Sequence, residues 1–305
     1  MMKIRYPYIP IYGLLLLLLA VGCTAPRSII QSGKVTPRGE FKIGLNTGAN
    51  LASAPLSQLD DITNSAIDAV TGRDSVFYDQ QIDVFAQALT AYALDPVGPA
   101  FDLYVRYGPV TRLDVGYKFA SGVHVLDAMY QFMGPTGTPE NPGIGNFYGS
   151  IGLQYSGQEA NILKRFNVNR LVPLLDFTAR RRDLVIPLIF SRSFGPEEEI
   201  GNISWGLVYH HSFFRYGFSP DELYERVGDQ VRRINPVTER SNFPAFGAFV
   251  NGKIGYKFLY ALPAVAVYYQ NYGSYQLLAG KQFSFKGVRV VPTIGLQLRL
   301  GGFSR

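Results

Sequence analysis

Cysteine is almost missing from this 305-residue sequence, with one at position 23, which excludes an intramolecular disulfide framework and a cysteine-built metal cluster. Only three histidines are present, and no P-loop, HExxH or dinucleotide glycine fingerprint occurs, so no metal and no cofactor is expected. Charge is sparse at 17%, and its basic excess comes with no nucleic-acid motif. Long apolar runs are lacking too. The leucine run from Leu14 to Leu19 is too short to cross a bilayer as a helix.

What is present is aromatic and glycine-rich. The 20 tyrosines, 21 phenylalanines and 32 glycines are spread along the chain, a mix that suits many strands better than a helical enzyme. Period-two alternation recurs. Phe41, Ile43 and Leu45 share one side of an extended segment. Phe101, Leu103, Val105 and Tyr107 do the same, as do Leu113, Val115, Tyr117 and Phe119, and Ile294, Leu296, Leu298 and Leu300 near the end. Asn251-Gly252 is a hairpin signal, yet a turn there would mix the two faces. Left unbroken, Phe246, Ala248, Val250, Ile254, Tyr256 and Phe258 keep one parity, which predicts a single long strand. The count comes to about twelve strands, within ten to fourteen. It treats 172–181 and 184–193 as two strands, and 275–285 and 288–300 as two more. Helical spacing interrupts the pattern twice, predicting short insertions near 57–93 and 219–234. The second opens with Ser219-Pro220-Asp221-Glu222, an N-cap signature.

The N-terminus carries Lys3 and Arg5, the leucine run, and then Ala20-Val21-Gly22-Cys23. It resembles a bacterial lipoprotein signal peptide with its lipobox. The resemblance implies removal of residues 1–22 and diacylation of Cys23, although that family usually has leucine where Ala20 stands. Cleavage would leave 27 basic residues against 23 acidic and lower the formal charge from +6 to +4, a pointer to anionic lipid headgroups. Residues 23–38, without periodicity, read as a lipidated tether that would hold the N-terminus at the periplasmic leaflet.

Alternation alone does not say which face is inside. The leader, the strand count and aromatics at strand ends (Tyr107, Tyr117, Phe119, Tyr130, Phe132, Tyr155, Tyr256) favour an apolar face turned to lipid. Over residues 39–305 the chain resembles the bacterial outer-membrane β-barrel proteins. The expectation is an all-β, antiparallel transmembrane β-barrel, lipid-anchored in the outer membrane. Its lumen would hold a charge network of Asp102, Arg106, Arg112, Asp114 and Lys118.

Three functions fit that frame. The first is non-enzymatic: passage or binding of small or hydrophobic molecules, or a structural role in the envelope, with outer-membrane lipid and an unidentified small molecule as partners. The second rests on His210 and Ser212, two residues apart on one strand face, a pair similar to that of outer-membrane phospholipases and lipid A deacylases. It would make His210 the base and Ser212 the nucleophile, although Phe213 follows where those families have asparagine. The third is a soluble periplasmic ligand-binding lipoprotein, whose Phe41, Val115 and Leu296 side would point inward.

Overall fold

The structure, a computed structural model, describes residues 27–52, 76–77, 80–94, 98–160, 175–220 and 223–301. Ten antiparallel strands close into a barrel: β1 (Phe41–Ala52), β3 (Gly98–Val110), β4 (Leu113–Ala120), β5 (Val123–Met133), β6 (Phe147–Ala160), β7 (Thr178–Phe194), β8 (Gly201–Phe218), β11 (Val237–Tyr256), β12 (Leu259–Gln276) and β13 (Gln282–Leu300). The seam joins the first strand to the last, with Leu45 opposite Leu296, so no backbone edge is left open to lipid. A side sheet joins β2 (Val76–Phe77), β9 (Leu223–Val227) and β10 (Gln230–Arg233), and one helix, α1 (Gln80–Leu94), precedes β3.

The wall is apolar outside and polar inside. Leu296 is 55% exposed and Leu207 64%, and Ile43, Val115, Leu153 and Phe246 are also exposed. Asp102, Asp114, Gln154, Asp183 and Arg289 are buried on the inner side. A soluble barrel would have the reverse arrangement, so the soluble alternative falls. Of the aromatics expected at strand ends, Tyr107 lies near the turn end and stacks on Phe41 with ring centroids 4.5 Å apart, whereas Tyr117 and Tyr155 lie within their strands.

Ten strands replace the expected twelve for two reasons. The charged run Arg180-Arg181-Arg182-Asp183 does not end a strand, because its alternate members point to opposite sides of β7 and the ladder to β8 continues through it. Residues 282–300 likewise form one strand through Pro292. The unbroken strand through Asn251-Gly252 is present, and its turn lies at Lys257–Phe258.

With ten strands, the connections sort themselves. Most short turns lie at one end with Phe41 and Leu300, here the turn end, joined there by the longer 134–146. The strand ends that the connections 53–97, 161–177 and 219–236 join are all at the other, the loop end. The expected helix near 219–234 is instead the β9–β10 hairpin, turned at Gly228-Asp229 and held by Val76 pairing with Leu223. Of the insertion expected near 57–93, residues 80–94 form α1, and Leu59 to Ala69 lie outside the described residues.

Candidate functional site

The lumen is occupied by the chain's own N-terminal segment. Residues 27–38, expected as a free tether, run inside the barrel, with Arg27, Ser28, Ile29, Ile30, Lys34, Val35 and Thr36 buried. The segment has no regular structure of its own, so its backbone groups must find partners on the wall. They do. Tyr268 Oη donates to the carbonyl of Arg27 at 2.6 Å, and Asn251 Nδ2 to that of Gln31 at 3.0 Å. The amides of Gly33 and Thr36 donate to Ser191 Oγ at 3.0 Å and to Asp114 Oδ2 at 2.8 Å. Gly33 is required by closeness: a Cβ there would sit 2.7 Å from the Tyr148 carbonyl oxygen.

Its direction follows from these partners. Lys34 meets Glu197 in the β7–β8 turn, and Arg38 bridges Gly108 beside the first turn. Arg27 bonds Gln270 and Ser28 bonds Asp102, both in the loop-end halves of their strands. The chain therefore runs from the turn end toward the loop end as its numbers fall.

Two carboxylates fasten it. Glu197 and Glu198 follow Gly195-Pro196 and adopt left-handed φ values of 50° and 62°, a conformation that non-glycine residues avoid unless the surroundings over-determine it. Here that turns both side chains into the lumen. Glu197 receives Lys34, the amide of Gly143 at 2.8 Å and Tyr148 Oη at 3.2 Å. Glu198 receives Lys253 at 2.8 Å and Ser32 Oγ at 3.2 Å. Burial works against ionising Glu198, but Lys253, Lys42 and Lys34 outweigh it and hold its carboxyl below the usual glutamate range. Glu197 is lowered in the same way by Lys34, the Gly143 amide and Tyr148.

Four of the five expected lumen charges are there. Arg106 pairs with Asp114 and, at 2.6 Å, with Asp127, while Lys118 donates to the carbonyl of Ser28 at 3.3 Å and Asp102 accepts from Ser28 Oγ. Arg112 does not join them. It occupies the β3–β4 turn at φ 69°, half-buried, and its guanidinium donates to the carbonyls of Gln131 and Gly134, each at 3.2 Å. Further along the seam, Arg299 grips Glu40 with two bonds of 2.7 Å.

The loop end is shut by an apolar cap. Ile82, Leu89 and Leu94 of α1 pack on Phe177, Phe214, Tyr216, Phe243 and Tyr275 within the mouth. Arg181 donates to the Leu94 carbonyl at the helix C-terminus, where a cation is favoured, and to Asp183 at 2.9 Å. That same Asp183 accepts from Ser212 Oγ at 2.6 Å and meets His210 Nε2 at 3.0 Å, while Ser212 Oγ and His210 Nε2 stand 3.3 Å apart. For catalysis the imidazole would have to take the serine's proton on one nitrogen and face the acid with the other. Here the serine hydroxyl donates to the carboxylate, and the one nitrogen, Nε2, faces both that carboxylate and the serine, so the relay through two ring nitrogens is not formed. His210 Nδ1 is buried with no partner among the described residues, and the pair lies in the lumen, away from lipid. The esterase constellation is a structural knot under the cap.

The sequence matches no protein-family model and no curated relative. Solved barrels are similar to it. The N-terminal β-barrel domain of Pseudomonas aeruginosa OprF shares 6% identity (TM-score 0.24), covering 87% of this chain and 100% of that one. The outer membrane protein OprG from Pseudomonas aeruginosa shares 11% (TM-score 0.28; 89% and 100% covered). The translocator domain of autotransporter NalP from Neisseria meningitidis shares 7% (TM-score 0.35; 86% and 89%). The assignment as a membrane barrel stands on the wall itself, apolar outside and charged within.

Sequence reasoning missed the segment 27–38, Glu197 and Glu198, and the partners Lys42, Asp127, Lys253 and Asp183. The visible signal was small: acidic residues placed directly after a Gly-Pro turn.

Proposed function

We propose that this chain is a bacterial outer-membrane β-barrel that rests closed and acts without covalent chemistry as a lipid-embedded envelope component. Cys23 and its expected acylation lie outside the described residues, but Arg27, four residues on, is buried in the loop-end half of the lumen, so residues 27–38 do not run as the tether expected at the periplasmic leaflet. The observation that carries the closed reading is residues 27–38 in the lumen, bonded to wall and turn, beneath an apolar cap. Turns at one end and loops at the other suit the usual orientation, with turns toward the periplasm.

Passage then requires displacement of both the segment and the cap. In planar bilayers the protein should be silent, while Gly33→Val, whose side chain would press on the Tyr148 backbone, should produce discrete openings. A steady open level in the unaltered protein overturns the closed reading. The inner face of β6 favours a second use. Ser150, Gln154 and Ser156 are buried there with polar atoms lacking partners among the described residues, a strip suited to water or a small polar solute.

A further inference from the structure

On the outer wall, three arginines stand side by side across three strands. Arg180 of β7 is opposite Arg215 of β8, and Arg215 is opposite Arg240 of β11. All three are exposed, and Arg182 lies two residues from Arg180 on the same face. Like charges directly opposite one another across a sheet repel. Among the described residues the only ion pair to this group is Arg180 with Glu159 at 2.5 Å, itself open to solvent; none is seen for Arg182, Arg215 or Arg240. The connection 161–177 holds one acidic residue, Asp176, and among the described residues no ion pair joins it to the row.

The row's height on the wall gives it meaning. Outward residues of β8 are Ile203, Trp205, Leu207, Tyr209, His211 and Phe213, a stretch of about eleven residues, the length a tilted strand needs to cross the hydrocarbon. Arg215 comes next. On β11 the same column descends from Arg240 through Asn242 and Pro244 to Phe246, which is 62% exposed. An open depression of about 450 Å³ lies between the guanidiniums and Phe213, lined also by Asn242. Cationic forks thus sit directly above an apolar surface, at the loop end.

We propose that this row is a binding site for the phosphate of an anionic membrane lipid in the loop-end leaflet. The acyl chains would lie along Phe213, Tyr209 and Phe246, and the phosphate oxygens would accept from Arg215, Arg240, Arg180 and Arg182. The chemistry fits because guanidinium forks bond phosphate oxygens in pairs, and a dianionic headgroup relieves the repulsion of the row. The proposal rests on the membrane reading given above.

The test uses the folded full chain in phosphatidylcholine vesicles containing spin-labelled phosphatidic acid. The electron spin resonance signal of immobilised lipid reports the protein's preference over labelled phosphatidylcholine. The unaltered protein should favour phosphatidic acid, and R215Q/R240Q should weaken that preference about tenfold. R215K/R240K, which keeps the charge and loses the forks, should fall between. Arg192→Gln, outward at the turn end, should change nothing. Soluble glycerol phosphate should not compete, since it lacks the chains; full competition would mark a site for free phosphate and overturn the lipid assignment. Equal preference in R215Q/R240Q and in the unaltered protein also overturns it. Removing repelling charges should not impair folding, and a band shift on heating in gel electrophoresis verifies each variant. If the chain fails to enter vesicles at all, the membrane reading falls; if it enters without preference, only the site does.

Discussion

At the scale of single residues, Asp183 is the hub. It accepts from Arg181, Ser212 and His210, and through Arg181 it is linked to the end of α1. Deleting this carboxylate leaves a buried guanidinium uncompensated, and Asp183→Ala should cost about 3–5 kcal/mol in reversible urea unfolding from vesicles. Ser212→Ala removes one hydrogen bond and should cost about 1 kcal/mol. A larger loss for Ser212→Ala than for Asp183→Ala would refute the hub. The sequence showed His210 and Ser212 on one face but not what they face. Asp183, on the neighbouring strand, falls between the two strands that the pattern predicts over 172–181 and 184–193, and only the β7–β8 register brings the three together.

Among the elements, the luminal segment is the one whose hold varies with pH. Glu197 and Glu198 ionise more readily in the fold than the ordinary glutamate value of 4.5. Their stabilisation is therefore complete above that value and is lost as pH falls below it through the depressed folded values. Acidification below about 4.5 should release the segment and raise bilayer conductance, and Glu198→Gln should bring part of that release to neutral pH. Silence of both proteins throughout would show that loss of these two charges does not open the barrel. Strands were legible because one face meets lipid and the other does not, which writes a period of two into the residues. The luminal segment was not, since half of its hold is through its own carbonyls and amides and the rest through side chains spaced without a period, such as Ser28, Ser32 and Lys34. The β9–β10 hairpin carried a helix-start signature at Ser219, overridden by pairing with β2, residues far away in sequence.

The whole molecule depends on the seam between β1 and β13. Leu296 lies opposite Leu45 there and faces outward, so Leu296→Arg should cost on the order of 2–4 kcal/mol near the midplane, read by vesicle folding equilibria. A neutral outcome would mean that this face does not meet hydrocarbon. The seam also sets an order of events. Residues 27–38 lead directly into β1 and lie within the ring that β1 completes with β13, whose partners are more than two hundred residues away in sequence. Closing so distant a pairing is slow, since its entropy must be met before the contact forms. The luminal segment finds its partners only on the wall, so it can settle no earlier than the strands that hold it, and the last strand closes the ring around the earliest part of the described chain.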